Sequence, residues 1–308
     1  MPSALVLADG DASAGQGHLS RTSALVVALR ARGFVARCVA LGAGAPRERY
    51  GVLWEPEVAA SQALTAPADV VVLDTYGPSW PSSAGTRLAR APRVVVCDNP
   101  DPPSAALIVD PAAEPDDDPR HLYGLCHAML GPPFWSLPRR PSHGPLRRVL
   151  VTVGSSSRIT DGPDLVDAVR AGVPDEAILR VLAAAGVTDG PGVRALEPRA
   201  TLLEELLACD LVVCGAGQTM LEAAATGAPC VAVVLADNQR RAAAQLDRVG
   251  GALVTPLAGV TDACAGLAAP PARAALAGRG QDAVDGTGAR RVAFAVQRLV
   301  TGAAQRPI

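Results

Sequence analysis

The 308-residue chain has no lysine, since every one of its 28 basic residues is arginine. That excludes a Schiff-base lysine, a P-loop lysine and a Ser-Lys catalytic pair. Aromatic residues make up only 3% of the chain although hydrophobic residues make up 49%, so the core must be assembled from Ala, Val and Leu. No basic run is longer than two residues, as at Arg139-Arg140, and the formal charge is -2, which leaves no extended footprint for nucleic acid. No uninterrupted apolar run approaches the roughly 18 residues of a membrane span, and no basic stretch followed by an apolar one opens the chain. A cytoplasmic protein without nucleic acid or a membrane anchor among its partners is expected. The seven cysteines contain no CxxC pair, and His18, His121, His127 and His143 form no HExxH pattern. Reduced core thiols and no metal or other cofactor are therefore expected.

The chain does have short apolar runs at regular intervals. Residues 5–8, 70–73, 94–97, 106–109, 149–153, 211–214 and 230–235 read as strands buried on both faces. Helical patterns over 19–29, 202–207, 220–225 and 240–249 alternate with them, which predicts parallel α/β sheets. The stretch 131–145 is rich in proline and polar residues and divides the chain into two such series. The predicted domains are residues 1–140 and 141–308, each Rossmann-like, the two facing each other across a cleft.

Two glycine turns follow predicted strands. In the first half, Gly15-Gln16-Gly17-His18 opens an amphipathic helical stretch over 19–29. Glycine lets the backbone approach a ligand, and a helix start offers unpaired N–H groups to an anion. A histidine there could shuttle protons, and an ordinary βα turn with a surface histidine fits the same residues. Asp9-Gly10-Asp11 has DxD spacing, but carboxylates at a strand end also cap turns. In the second half, Gly215-Ala216-Gly217 precedes Gln218, Thr219 and Glu222. Backbone N–H groups over 217–219 would face phosphate, and Glu222 would accept from two ribose hydroxyls or merely complement the helix dipole. Asn238-Gln239 places two amides after the next strand. A nicotinamide-binding reading of the same turn is weakened by Met220, which occupies the third-glycine position.

Taken together, Asp11-Ala12-Ser13 with Gly15-x-Gly17-His18-x-x-Arg21, Leu73-Asp74-Thr75-Tyr76-Gly77, Gly154-Ser155, Gly215-Ala216-Gly217, Glu222-x-x-x-x-Gly227-x-Pro229 and Leu235-Ala236-x-Asn238-Gln239 resemble one family over nearly the whole chain. They are similar to glycosyltransferases of GT-B fold, and within them to the UDP-sugar hydrolases of the pseudaminic acid pathway. The lipid II synthase is a more distant relative. The resemblance implies a nucleotide-sugar substrate, UDP-linked, cleaved at the anomeric carbon by water with inversion. Transfer to a small-molecule acceptor is the alternative, and a non-catalytic nucleotide-sugar-binding protein is a third reading. It also implies catalysis by His18, sugar contacts from Gly17, Arg21, Tyr76 and Asn238, and nucleotide contacts from Ser155, Gly215, Gly217, Gln218, Thr219, Glu222 and Gln239. The chain departs from the family in its shorter Asp-Ala-Ser to Gly-x-Gly-His spacing and in Gln218-Thr219, which implies a different sugar.

Overall fold

A computed structural model describes residues 1–10, 17–75, 90–98, 104–140, 144–152, 162–182, 187–197 and 201–302. The chain divides into two compact units, one of Met1–Pro132 with Thr287–Ile308 and one of Pro133–Gly286.

In the first unit the elements run β1 (Ser3–Asp9), α1 (Gly17–Arg30), β2 (Val35–Leu41), β3 (Arg47–Arg49), β4 (Val52–Pro56), α2 (Ser61–Thr65), β5 (Val70–Asp74), β6 (Arg93–Val96), β7 (Leu107–Asp110) and β8 (His121–Tyr123). They form one sheet of order β3-β4-β2-β1-β5-β6-β7-β8, parallel throughout except for the β3–β4 hairpin. The second unit runs β9 (Arg148–Thr152), α3 (Gly162–Gly172), β10 (Ile178–Leu182), β11 (Val193–Leu196), α4 (Leu203–Ala208), β12 (Leu211–Gly215), α5 (Gln218–Thr226), β13 (Cys230–Val233), α6 (Arg240–Arg248), β14 (Leu253–Val254), α7 (Val260–Gly266) and α8 (Pro270–Ala283). Its sheet has order β11-β10-β9-β12-β13-β14 and is parallel throughout. Each sheet starts at its middle strand, builds outward on one side and then reverses. This is the doubly wound Rossmann arrangement, with switch points between β1 and β5 and between β9 and β12.

The continuous apolar runs explain the central strands. Every residue of β5 and of β12 is buried, as a strand covered by helices on both faces requires. Leu5, Leu7, Val39, Val71, Leu73 and Val95 form part of the core on the first sheet, and Val149, Val151, Leu179, Val213 and Val231 part of that on the second. Among the described residues no helix is long and apolar enough to cross a membrane.

Two expectations need correction. The last helix, α9 (Gly288–Thr301), belongs by its contacts to the first unit, so residues 141–308 do not form one compact unit. It packs along α1, where Arg32 donates to Gln297 at 2.8 Å. The same packing changes the character of α1. The pattern over 19–29 predicts a helix with one buried face, yet ten of its 14 residues are buried, because the sheet takes one side and α9 another. A helix covered on more than one side needs small and polar residues that can be satisfied inside. Ser23 accepts from the Trp54 indole N–H at 2.8 Å, and Thr22 donates to the His18 carbonyl at 2.5 Å.

Candidate functional site

At the first switch point the register places Ala8 of β1 beside Asp74, the last residue of β5. Close packing at this strand end fixes Gly10. Its N–H donates to the Leu41 carbonyl at 2.8 Å, and an added Cβ would lie 2.6 Å from the Ala40 Cβ. The chain returns at Gly17, the first residue of α1, and the first turn of that helix carries His18 to Asp74. His18 Nδ1 lies 2.6 Å from Asp74 Oδ1, with the two side chains 3% and 0% exposed. Arg21, three residues on and therefore on the same helix face, reaches the same carboxylate from Nε at 2.7 Å and from Nη2 at 2.6 Å. Its remaining nitrogen, Nη1, donates to both oxygens of Asp98, at 2.7 and 2.9 Å.

The electrostatics follow from this geometry. Burial works to raise the Asp74 carboxyl, but the charges of Arg21 and His18 and the hydrogen bonds from both outweigh it and hold the group well below the usual carboxylate range. Burial likewise works against the Arg21 cation, and Asp74 with Asp98 more than reverses that, so its guanidinium is held firmly charged. An ionised Asp74 can only accept. The imidazole therefore donates from Nδ1, and the lone pair of the neutral ring is on Nε2. Arg21, expected to contact the sugar, has donors directed at two carboxylates of its own unit. Asp98, which follows β6 and Cys97, was not among the expected site residues, and Asp74 appeared in a matching block without a role. Each is a carboxylate standing just beyond a fully apolar strand run. That signal was present at 70–74 and 94–98.

In the second unit Gly215 ends β12, and Gly217 stands at the start of α5. The expected cradle of three N–H groups over 217–219 is reduced by one, since the Gly217 N–H donates to the Gly215 carbonyl at 2.8 Å. Gln218 and Thr219 form the first turn of α5, half-buried, and the opening N–H groups of a helix have no acceptor within it. Glu222 is buried at 6% exposure one turn along, and Met220 is fully buried. Gln239 Oε1 accepts from the Leu235 N–H at 2.9 Å, and its Nε2 would lie 3.6 Å from a Cβ on Gly217. Gln239 thus stands against the glycine turn, whereas its neighbour Asn238 is exposed. The helix α5 ends at Gly227, whose φ of 68° is a left-handed conformation suited to glycine, and Pro229 follows. Tyr76 and Ser155 lie outside the described residues, as do residues 11–16. Among the described residues no group of three His, Cys, Asp or Glu side chains is arranged to hold a metal ion.

No protein-family model and no curated protein matches the chain. Solved structures do match over almost its full length. MurG of Acinetobacter baumannii is 16% identical and superposes with a TM-score of 0.66, covering 97% of this chain and 100% of its own. The calicheamicin glycosyltransferase CalG4 is 18% identical with a TM-score of 0.65, over 99% and 100%. The spinosyn rhamnosyltransferase SpnG complexed with thymidine diphosphate is 19% identical with a TM-score of 0.61, over 97% and 100%. The chain therefore has the two-Rossmann fold of the GT-B glycosyltransferases.

Proposed function

We propose that the chain is a glycosyltransferase that moves a sugar from a nucleoside diphosphate to a hydroxyl-bearing acceptor. His18 Nε2 takes the acceptor proton as the acceptor oxygen bonds to the anomeric carbon. The bond from that carbon to the diphosphate breaks on the opposite face, which inverts the configuration, and the nucleoside diphosphate leaves with the bonding electrons. The observation that carries this reading is the buried His18–Asp74 pair at the end of β5, because an imidazole held at Nδ1 by a fixed carboxylate can take a proton at Nε2 while the carboxylate stabilises the imidazolium as it forms. Asp74 acts through His18 and is a positioning residue.

Hydrolysis, which the sequence resemblance implies, uses the same base with water as the attacking oxygen. Transfer is the better supported, since the solved structures that share the fold include transferases acting on calicheamicin and spinosyn. For the same reason thymidine diphosphate stands beside UDP as the leaving nucleotide, SpnG having been solved with it.

The nucleotide is assigned to the second unit, with its diphosphate at the start of α5 and its ribose at Glu222. Glu222→Ala is then expected to weaken nucleoside diphosphate binding by about 1 to 3 kcal/mol, the usual cost of losing a charged hydrogen-bond partner. Calorimetry with UDP and with thymidine diphosphate tests this, and parental affinity for both nucleotides would remove Glu222 from the site.

A further inference from the structure

His18 belongs to a chain of four ionisable side chains, of which Arg21 and Asp98 are the two distal members. Asp98 binds Arg21 through two hydrogen bonds, and Arg21 binds Asp74 through two more. Asp74 binds His18, and Arg21 Nη2 itself comes within 3.4 Å of His18 Nδ1. The arrangement poses a problem for a base. A guanidinium fully paired to Asp74 would cancel the charge that holds the imidazolium.

We propose that Asp98 offsets the charge of Arg21, so that the cluster keeps a net negative charge beside His18 although Arg21 is paired to Asp74, and that the Asp98–Arg21 pair thereby sets the proton affinity of the base. With His18 neutral, the four groups sum to one negative charge. With His18 protonated they sum to zero. The resting group therefore draws a proton toward the ring, and transfer neutralises a nearly enclosed cluster, Arg21 and Asp98 being 17% and 15% exposed. Without Asp98 the same transfer would create a net positive charge there. The inference rests on the reading of His18 as the base.

The other charged groups near α1 stay fixed in the test. Asp9 closes β1. Arg49 of β3 is directed to Ser20 and Tyr50, and Arg291 of α9 donates to the Cys126 carbonyl at 2.8 Å.

The intact, nucleotide-free protein should be titrated by nuclear magnetic resonance at the histidine rings, with the His18 signal identified by its loss in His18→Gln. In Asp98→Asn the pH at which the His18 ring titrates is expected to fall by about one unit, the order of shift that removal of one neighbouring charge produces. In Arg21→Gln it is expected to rise. The acid limb of the kcat profile should move with each. A merely structural role for Asp98 would lower stability and rate but leave the titration in place. Should one variant fail to fold, the sign of the shift in the other decides. An unmoved ring in the folded variants overturns the inference even where His18 proves to be the base. Conversely, full turnover by His18→Gln overturns the proposed function and leaves the charge coupling legible in the titration.

Discussion

Asp74→Asn is expected to lower turnover by about 10³ to 10⁴-fold, the loss seen when the carboxylate that orients a catalytic histidine is replaced by its amide. An amide presents one acceptor and two N–H donors where the carboxylate presents acceptors only. Three donors converge on Asp74, from His18 Nδ1 and from Arg21 Nε and Nη2, so an asparagine satisfies some of them and opposes the rest. The imidazole then loses the contact that fixes its tautomer. The same substitution is expected to cost about 3 kcal/mol of stability at neutral pH, since it leaves the Arg21 charge with half of its compensation. The pH dependence has a definite sign. The Asp74 carboxyl is held below its usual range, so its stabilisation is full at neutral pH and fades as pH falls below about 4. In Asp74→Asn that part of the acid sensitivity should be missing. Urea melts at pH 7 and at pH 3 check both statements, and equal stability of parent and variant at pH 7 would show that the buried pair contributes nothing.

His18→Gln is expected to reduce turnover by about 10² to 10⁴-fold, the range of general base catalysis, with nucleotide affinity within a few-fold of the parent. Glutamine roughly fills the volume vacated by a ring that is 3% exposed, yet it cannot take a proton at neutral pH. The division between the two readouts is informative. The proposed nucleotide contacts are all in the second unit, so a fall in nucleotide binding would mean that the substitution had altered more than the base. Unchanged kcat would remove His18 from the chemistry.

The parts of the fold that could be read in the sequence are those where both faces of an element are dry. The runs at 70–73, 149–153, 211–214 and 230–235 fall on β5, β9, β12 and β13, all central strands. Strands with a polar face gave no comparable signal. In β4 buried and exposed positions alternate, and β10 carries Arg180, which pairs with the nearly buried Glu205 at 2.6 Å. The placement of α9 was not legible either, because its partner α1 is more than 250 residues away in the chain and an apolar stripe does not name what it will cover. At the site, the spacing of His18 and Arg21 already put both on one helix face. What the sequence withheld was their target. Asp74 and Asp98 become neighbours of α1 only once β5 and β6 are paired beside β1, through a reversal of strand order that local patterns do not encode.

The most direct measurement is to incubate the purified protein with UDP- and thymidine-diphosphate-linked sugars, with and without a panel of hydroxyl-bearing acceptors. Free nucleotide, free sugar and glycosylated acceptor are then separated by liquid chromatography and identified by mass spectrometry. The account predicts nucleoside diphosphate and glycosylated acceptor in equal amounts, only when donor and acceptor are both present, and with inverted anomeric configuration. Free sugar and nucleotide released in equal amounts from a donor alone, at a rate no acceptor changes, would contradict it and establish water as the acceptor.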